Sequence, residues 1–121
     1  MKNYKKFSLI YSTTKDLKSV EKISKHIIKN KLAACINTFP IKSIYHWKGK
    51  VEKEKEYAMI IKTRKNLVKK LIKEIKSKHP YELPSIISFD INYGYKNFLR
   101  WIECETRQTK KQKKNFQKKA R

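Results

Sequence analysis

Glycine, cysteine and acid are scarce in this chain of 121 residues, and each shortage closes off a class of function. Two glycines, Gly49 and Gly94, leave no material for the glycine-rich backbone cradles that hold phosphates, and no G-x-x-x-x-G-K sequence occurs. Two cysteines, Cys35 and Cys104, stand far apart, form no C-x-x-C and lack His or Cys neighbours at zinc-site spacing. Cys35, inside Leu32-Ala33-Ala34-Cys35-Ile36, reads as a small core residue rather than a ligand. No apolar run approaches the roughly 18 residues that a membrane span needs. Phe7 to Tyr11 is too short and too strand-like for a signal core, so the chain reads as cytoplasmic with no membrane partner. There is no nucleophile elbow, no H-E-x-x-H and no carboxylate pair for glycoside chemistry, and catalysis is not expected.

What is abundant is lysine. Lysine outnumbers arginine 28 to 4, and the net charge is +22. Nucleic-acid readers use arginine and exposed aromatics as well, and the lysines are spread over every expected surface. The excess therefore reads as compositional drift. The run 107–121 differs in kind, with eight basic residues and no acid. It is expected to be a disordered basic tail after a domain spanning 1–106, with non-specific affinity for polyanions. A second reading, from another functional class, is a polyanion- or nucleic-acid-binding module acting through that tail.

The remainder has the periodicities of one small α+β domain. Phe7, Leu9 and Tyr11, with Ile10, suit a buried strand. Thr13-Thr14-Lys15-Asp16 supplies N-cap chemistry for a helix whose apolar stripe is Leu17, Val20, Ile23, Ile27 and Ile28. Ala34 to Trp47 is strand-rich, with Pro40 marking an edge or a bend. A turn at Lys48-Gly49-Lys50 leads into a strand from Val51 to Thr63. Near the tip Glu52, Glu54 and Glu56 share one face while Lys53, Lys55 and Tyr57 share the other, so the hairpin arm projects beyond the core. A second helix, about Lys65 to Lys78, turns Leu67, Leu71, Ile72 and Ile75 inward. Ile86 to Ile91 reads as a strand, and Phe98, Leu99, Trp101 and Ile102 suggest a short last helix. The order βαββαβ plus helix predicts a ferredoxin-like antiparallel sheet with two helices on one face. Its other face would lie bare, and the bare face with the overhanging hairpin predicts self-association.

Between the second helix and the fourth strand lies His79-Pro80-Tyr81-Glu82-Leu83-Pro84. The prolines push His79 and Leu83 toward extended geometry, stop the helix at Lys78 and hold an imidazole, a phenol and a carboxylate in a stiff arrangement. This segment is where a site is expected.

Four blocks in order resemble the CutA family of divalent-cation tolerance proteins. They are Lys31-Leu32-Ala33-Ala34-Cys35-Ile36-Asn37, Ser43-Ile44-Tyr45-His46-Trp47-Lys48-Gly49-Lys50, Ile61-Lys62-Thr63 and the double-proline segment, within a match from about Phe7 to Glu105. The resemblance implies a ferredoxin-like subunit, a homotrimer and a cytosolic protein of heavy-metal tolerance with copper, or another divalent metal, as its ion. The family's metal positions fall on Ser12, Lys78 and His79. Only His79 carries a ligand-type side chain, so any metal site is weak.

The residues themselves keep several readings open. His79 reads as a helix-terminal imidazole bonded to a carbonyl, a pocket residue or a metal ligand. Ser12, Lys62 and Tyr81 are the candidate ligand pocket, with a core or interface phenol as the bland reading of Tyr81. Tyr45 and Trp47 on the arm are expected to pack against a neighbouring subunit. His26 reads as a boundary residue of the first helix.

Overall fold

The computed structural model describes residues 6–108. The elements run β1 (Phe7–Thr14), α1 (Leu17–Lys29), β2 (Cys35–Trp47), β3 (Lys50–Arg64), α2 (Val68–Lys78), β4 (Ile86–Ile91) and α3 (Lys96–Glu105). A single 3-10 turn, Lys65–Leu67, leads into α2. The sheet order is β2-β3-β1-β4, with every neighbouring pair antiparallel. This is the ferredoxin-like arrangement expected from the element order.

Local chemistry sets the boundaries. Asp16 caps α1 by accepting from the Ser19 backbone N–H at 2.8 Å. That bond, with Lys15 and Lys18 nearby, holds the Asp16 carboxyl below its usual range. The helix stops at Asn30, and Lys31 takes a left-handed φ of 54°. Lys48 and Gly49, with φ of 50° and 79°, make the two-residue turn whose twist suits a hairpin. Pro40 does not break β2, which runs unbroken on the sheet edge, where a missing N–H costs no ladder bond.

The core fills the space between the sheet and the α1–α2 pair. Ile10, Met59 and Ile61 from the sheet meet Val20, Ile23, Ile27, Leu71 and Ile75 from the helices. Each fully buried aliphatic contributes about 1.5–3 kcal/mol. The register pairs Ile10 with Ile61 and Ser12 with Met59, so the even positions of β1 face the helices. Phe7, Leu9 and Tyr11 lie on the other face, and β1 has no exposed residue, as expected of a buried strand. Leu17 and Ile28, assigned to the α1 stripe, are exposed instead.

On that second face α3 covers only one end. Arg64 donates from Nε to Thr106 Oγ1 and from Nη2 to the Thr106 carbonyl, both at 2.8 Å. Lys62 Nζ stands 5.4 Å from the centre of the Phe98 ring. The rest has no cover among the described residues, and Phe39, Ile87 and Phe89 are exposed there. β1 pairs with β3 only as far as Thr14 and Tyr57, so 41–56 forms a two-stranded ribbon beyond the domain. Of the expected basic tail, Arg107 and Gln108 are described, and Gln108 Nε2 donates to the Lys31 carbonyl at 2.7 Å. The rest of that run lies outside the described residues.

Ile61→Ala, in the middle of the core, is expected to cost about 2–5 kcal/mol in urea unfolding. Ile44→Ala, on the exposed ribbon, should change stability by less than about 0.5 kcal/mol in the same measurement.

Candidate functional site

The alternation of the ribbon strands builds the site. Glu52, Glu54 and Glu56 occur at i, i+2 and i+4 of β3 and share the open side of the sheet, opposite Tyr45, Ser43 and Ile41 of β2. From the other side comes the double-proline segment, which leaves α2 at the carboxyl end of β1. Between ribbon and segment lies an open cleft of about 1150 Å³. It is lined by the three glutamates, by Tyr11 and Thr13 of β1, by Tyr45, His46 and Trp47, and by Tyr81 and Glu82.

Tyr81 closes the cleft's inner end. Its hydroxyl donates to Glu56 Oε2 at 2.7 Å, and Glu56 is buried. Partial burial, this bond and the charges of Glu56 and Glu54 push the Tyr81 phenol far above its usual range. Tyr45 is raised too, by partial desolvation, a bond to Glu54 and the surrounding carboxylates. Both phenols are neutral donors at physiological pH and offer no phenolate to a metal.

His79 is buried beneath this wall. The Tyr81 backbone N–H donates to Nδ1 at 3.1 Å, which fixes the ring proton on Nε2, and Nε2–H donates to the Thr13 carbonyl at 2.7 Å. Both ring nitrogens are engaged, so the imidazole has no lone pair for a metal. Of its three sequence readings the structure shows the first, a helix-terminal imidazole bonded to a carbonyl. Ser12 points into the helix-covered side, fully buried, and its hydroxyl donates to the Ser85 carbonyl at 2.6 Å. Lys62 lies at the far end of the sheet against α3. The grouping of Ser12, Lys62 and Tyr81 is therefore corrected: only Tyr81 reaches the cleft. Tyr45 and Trp47 line it and are half-exposed. His26 bridges the two core helices, its Nε2 standing 2.7 Å from Glu74 Oε1.

The donor set does not fit copper. Ser12, Lys78 and His79 supply no thiolate and no free imidazole, and soft or borderline copper needs one or the other. Among the described residues, no group of three or more His, Cys, Asp or Glu side chains is placed to hold a metal ion. The carboxylate row is the feature missed as a site in the sequence. Its spacing was visible, but the loop that makes it a cleft wall was not.

A family model described as CutA1 divalent ion tolerance protein matches residues 8–105. This chain belongs to the CutA family. The divalent-cation tolerance protein CutA of Archaeoglobus fulgidus is 44% identical over 96 residues, covering 79% of this chain and 94% of the relative. The CutA of Pyrococcus horikoshii is 38% identical over 99 residues, covering 82% and 97%. A solved structure named as the periplasmic divalent cation tolerance protein CutA of A. fulgidus superposes with a TM-score of 0.82 at 42% identity. It covers 84% of this chain and 99% of that one. The CutA fold thus extends over all seven elements described above, and no helix among the described residues is long and apolar enough to cross a membrane.

Tyr81→Phe leaves the buried Glu56 carboxylate without its donor and is expected to cost about 1–2 kcal/mol near neutral pH. A phenol whose folded pKa is raised contributes stability below its unfolded pKa, near 10, and loses it as pH climbs from there toward the folded value. Urea midpoints followed from about pH 9 to 11 should therefore decline less steeply in Tyr81→Phe than in the natural chain. Equal slopes would contradict the assigned proton.

Proposed function

We propose that this CutA protein works as a homotrimer in divalent-cation tolerance, with clefts between subunits that hold a divalent cation or a small cationic ligand weakly. One observation carries the assembly. Among the described residues, much of the sheet's second face and most of the ribbon beyond Thr14 and Tyr57 have no cover, and that surface includes Phe39, Tyr45, Trp47, Ile87 and Phe89. A two-stranded ribbon is marginal in water by itself, and an exposed apolar patch of this kind marks an interface. A neighbouring copy laid on the ribbon would bury Tyr45 and Trp47 as anchors and roof the carboxylate cleft. The number three comes from the family resemblance.

The ligand reading rests on the summed negative charge of Glu52, Glu54 and Glu56, a row that attracts hard cations without forming one coordination sphere. It does not rest on His79, and copper is not proposed as a tightly held ion. No chemical step is proposed for the cleft. Cytoplasmic residence belongs to the same proposal and is supported by Cys35 and Cys104, both free thiols.

Light scattering of the full chain should give about three chain masses at micromolar concentration, and a stable folded monomer would refute the assembly. Calorimetric titration with Cu²⁺ and with Mn²⁺ should show dissociation constants no tighter than about 10⁻⁴ M, the range of sparse oxygen sites. Glu54→Gln should weaken binding further and His79→Ala should leave it unchanged. Sub-micromolar copper binding abolished by His79→Ala would restore the imidazole as a ligand and overturn the assignment.

A further inference from the structure

The lysines that look scattered in the sequence are sorted by the fold. Four of the chain's ten carboxylates, Glu52, Glu54, Glu56 and Glu82, line the cleft. On the opposite side of the sheet, α1 and α2 with their flanking turns expose ten lysines. The carboxylates there are few. Asp16 is spent on capping α1, Glu74 is buried against His26, and Glu21 is exposed.

The sorting has a geometry. Lys18, Lys22 and Lys25 of α1, and Lys69, Lys73 and Lys76 of α2, each follow i, i+4, i+7, which puts each trio on a single stripe. On α1 the buried Val20, Ile23 and Ile27 lie on the opposite side of the helix, and on α2 the buried Leu71 and Ile75 do the same. Both stripes therefore point straight out from the sheet. The His26–Glu74 contact, 2.7 Å long, ties the helices side by side, at an axial separation of about 8–10 Å for packed helices. Two stripes that close lie within about one Debye length at physiological salt, so they act on an approaching anion together.

From this arrangement we infer that the outer α1–α2 face is a docking surface for duplex nucleic acid, held through its phosphate backbone without regard to sequence. The stripes contain lysine alone, a point charge that neutralises phosphate without the planar fork that reads bases. They contain no aromatic side chain, so a single strand would find nothing to stack on. They contain no apolar side chain to enter a lipid surface, because the exposed Leu17 and Ile28 lie on the flank of α1 away from α2. The face is opposite the one proposed for assembly.

The test compares three full-length proteins, each keeping the C-terminal run so that its contribution cancels. One is the natural chain. The second carries Lys18, Lys22, Lys25, Lys69, Lys73 and Lys76 changed to Gln. The third carries the same charge loss elsewhere, with Lys42, Lys48, Lys50, Lys53, Lys55 and Lys96 changed to Gln. Binding to fluorescent duplex DNA and duplex RNA of about 25 base pairs is followed by anisotropy across a salt series. The natural chain should bind both duplexes with a steep salt slope. The helix-face variant should bind at least about 30-fold more weakly at 0.1 M salt, with a slope reduced by several units, and the charge-matched third protein should lose less than about threefold. Should the six-fold helix-face variant fail to match the natural circular dichroism, the pair Lys22→Gln and Lys73→Gln should still weaken binding about three- to tenfold. No duplex binding by the natural chain, or equal losses in the two variants, would overturn the inference. So would a helix-face variant that keeps duplex binding but no longer sediments with vesicles rich in phosphatidylserine.

Discussion

Strand β3 imposes the constraint on which the rest of this molecule depends. Over Tyr57–Lys62 it is paired on both edges, by β2 and β1, and its odd residues Met59 and Ile61 are pressed against two helices. Over Lys50–Glu56 it has only β2 beside it. One continuous extended chain thus passes from a packed core into solvent without changing its alternation. Because the side-chain period is two, the register set by Ile10–Ile61 in the core also decides which side Glu52, Glu54 and Glu56 take on the ribbon. A slip of one residue would bury Lys62 among the helices and turn the glutamates away from Tyr81.

Most of the fold was legible because its elements are long and strongly periodic. The helices, the hairpin turn and the stop before Pro80 follow from side-chain spacing and proline chemistry alone, and Pro40 left an edge strand or a bend as the choices for β2. What was misread is instructive. In β1 the apolar side chains Phe7, Leu9 and Tyr11 suggest the inner face, yet the helices cover Ser8, Ile10, Ser12 and Thr14. Hydropathy picks the more apolar face, but the inward side of β1 carries Ile10 into the core, and Ser12 is accommodated there by donating to the Ser85 carbonyl. Leu17 and Ile28 were placed in the core by their spacing, but both lie on the flank of α1, roughly a quarter-turn from the buried Val20, Ile23 and Ile27.

The site was less legible than the fold, for a physical reason. His79 and Tyr81 were singled out correctly as stiffly placed, but stiffness does not reveal what a group faces. Only the hydrogen bonds show His79 holding the loop to Thr13 and Tyr81 holding the ribbon to the loop. These two residues tie the double-proline segment to β1 and β3 and so define the cleft. The glutamate row, by contrast, was visible as a pattern and dismissed as a polar arm. Its partner, the loop, is some thirty residues away in sequence and cannot be found by periodicity.

The ribbon also shows how a chain of +22 can present an anionic trough. Glutamate and lysine alternate from Glu52 to Lys55, so the strand's pleat separates them onto opposite sides. Three like charges at every second position repel one another along the trough, and Lys42 stands directly opposite Lys55 on the other side. The ribbon is therefore electrostatically loaded on both faces and gains from anything that neutralises either one. A cation, or the lysines of a second copy, would relieve the trough, and desolvation by a neighbour would strengthen that attraction beyond what it is worth in water. At distances beyond the roughly 8 Å screening length the excess of lysine governs, and within it the local row does. Cation affinity and anion affinity can thus coexist in one small domain because a four-stranded sheet keeps them on opposite sides.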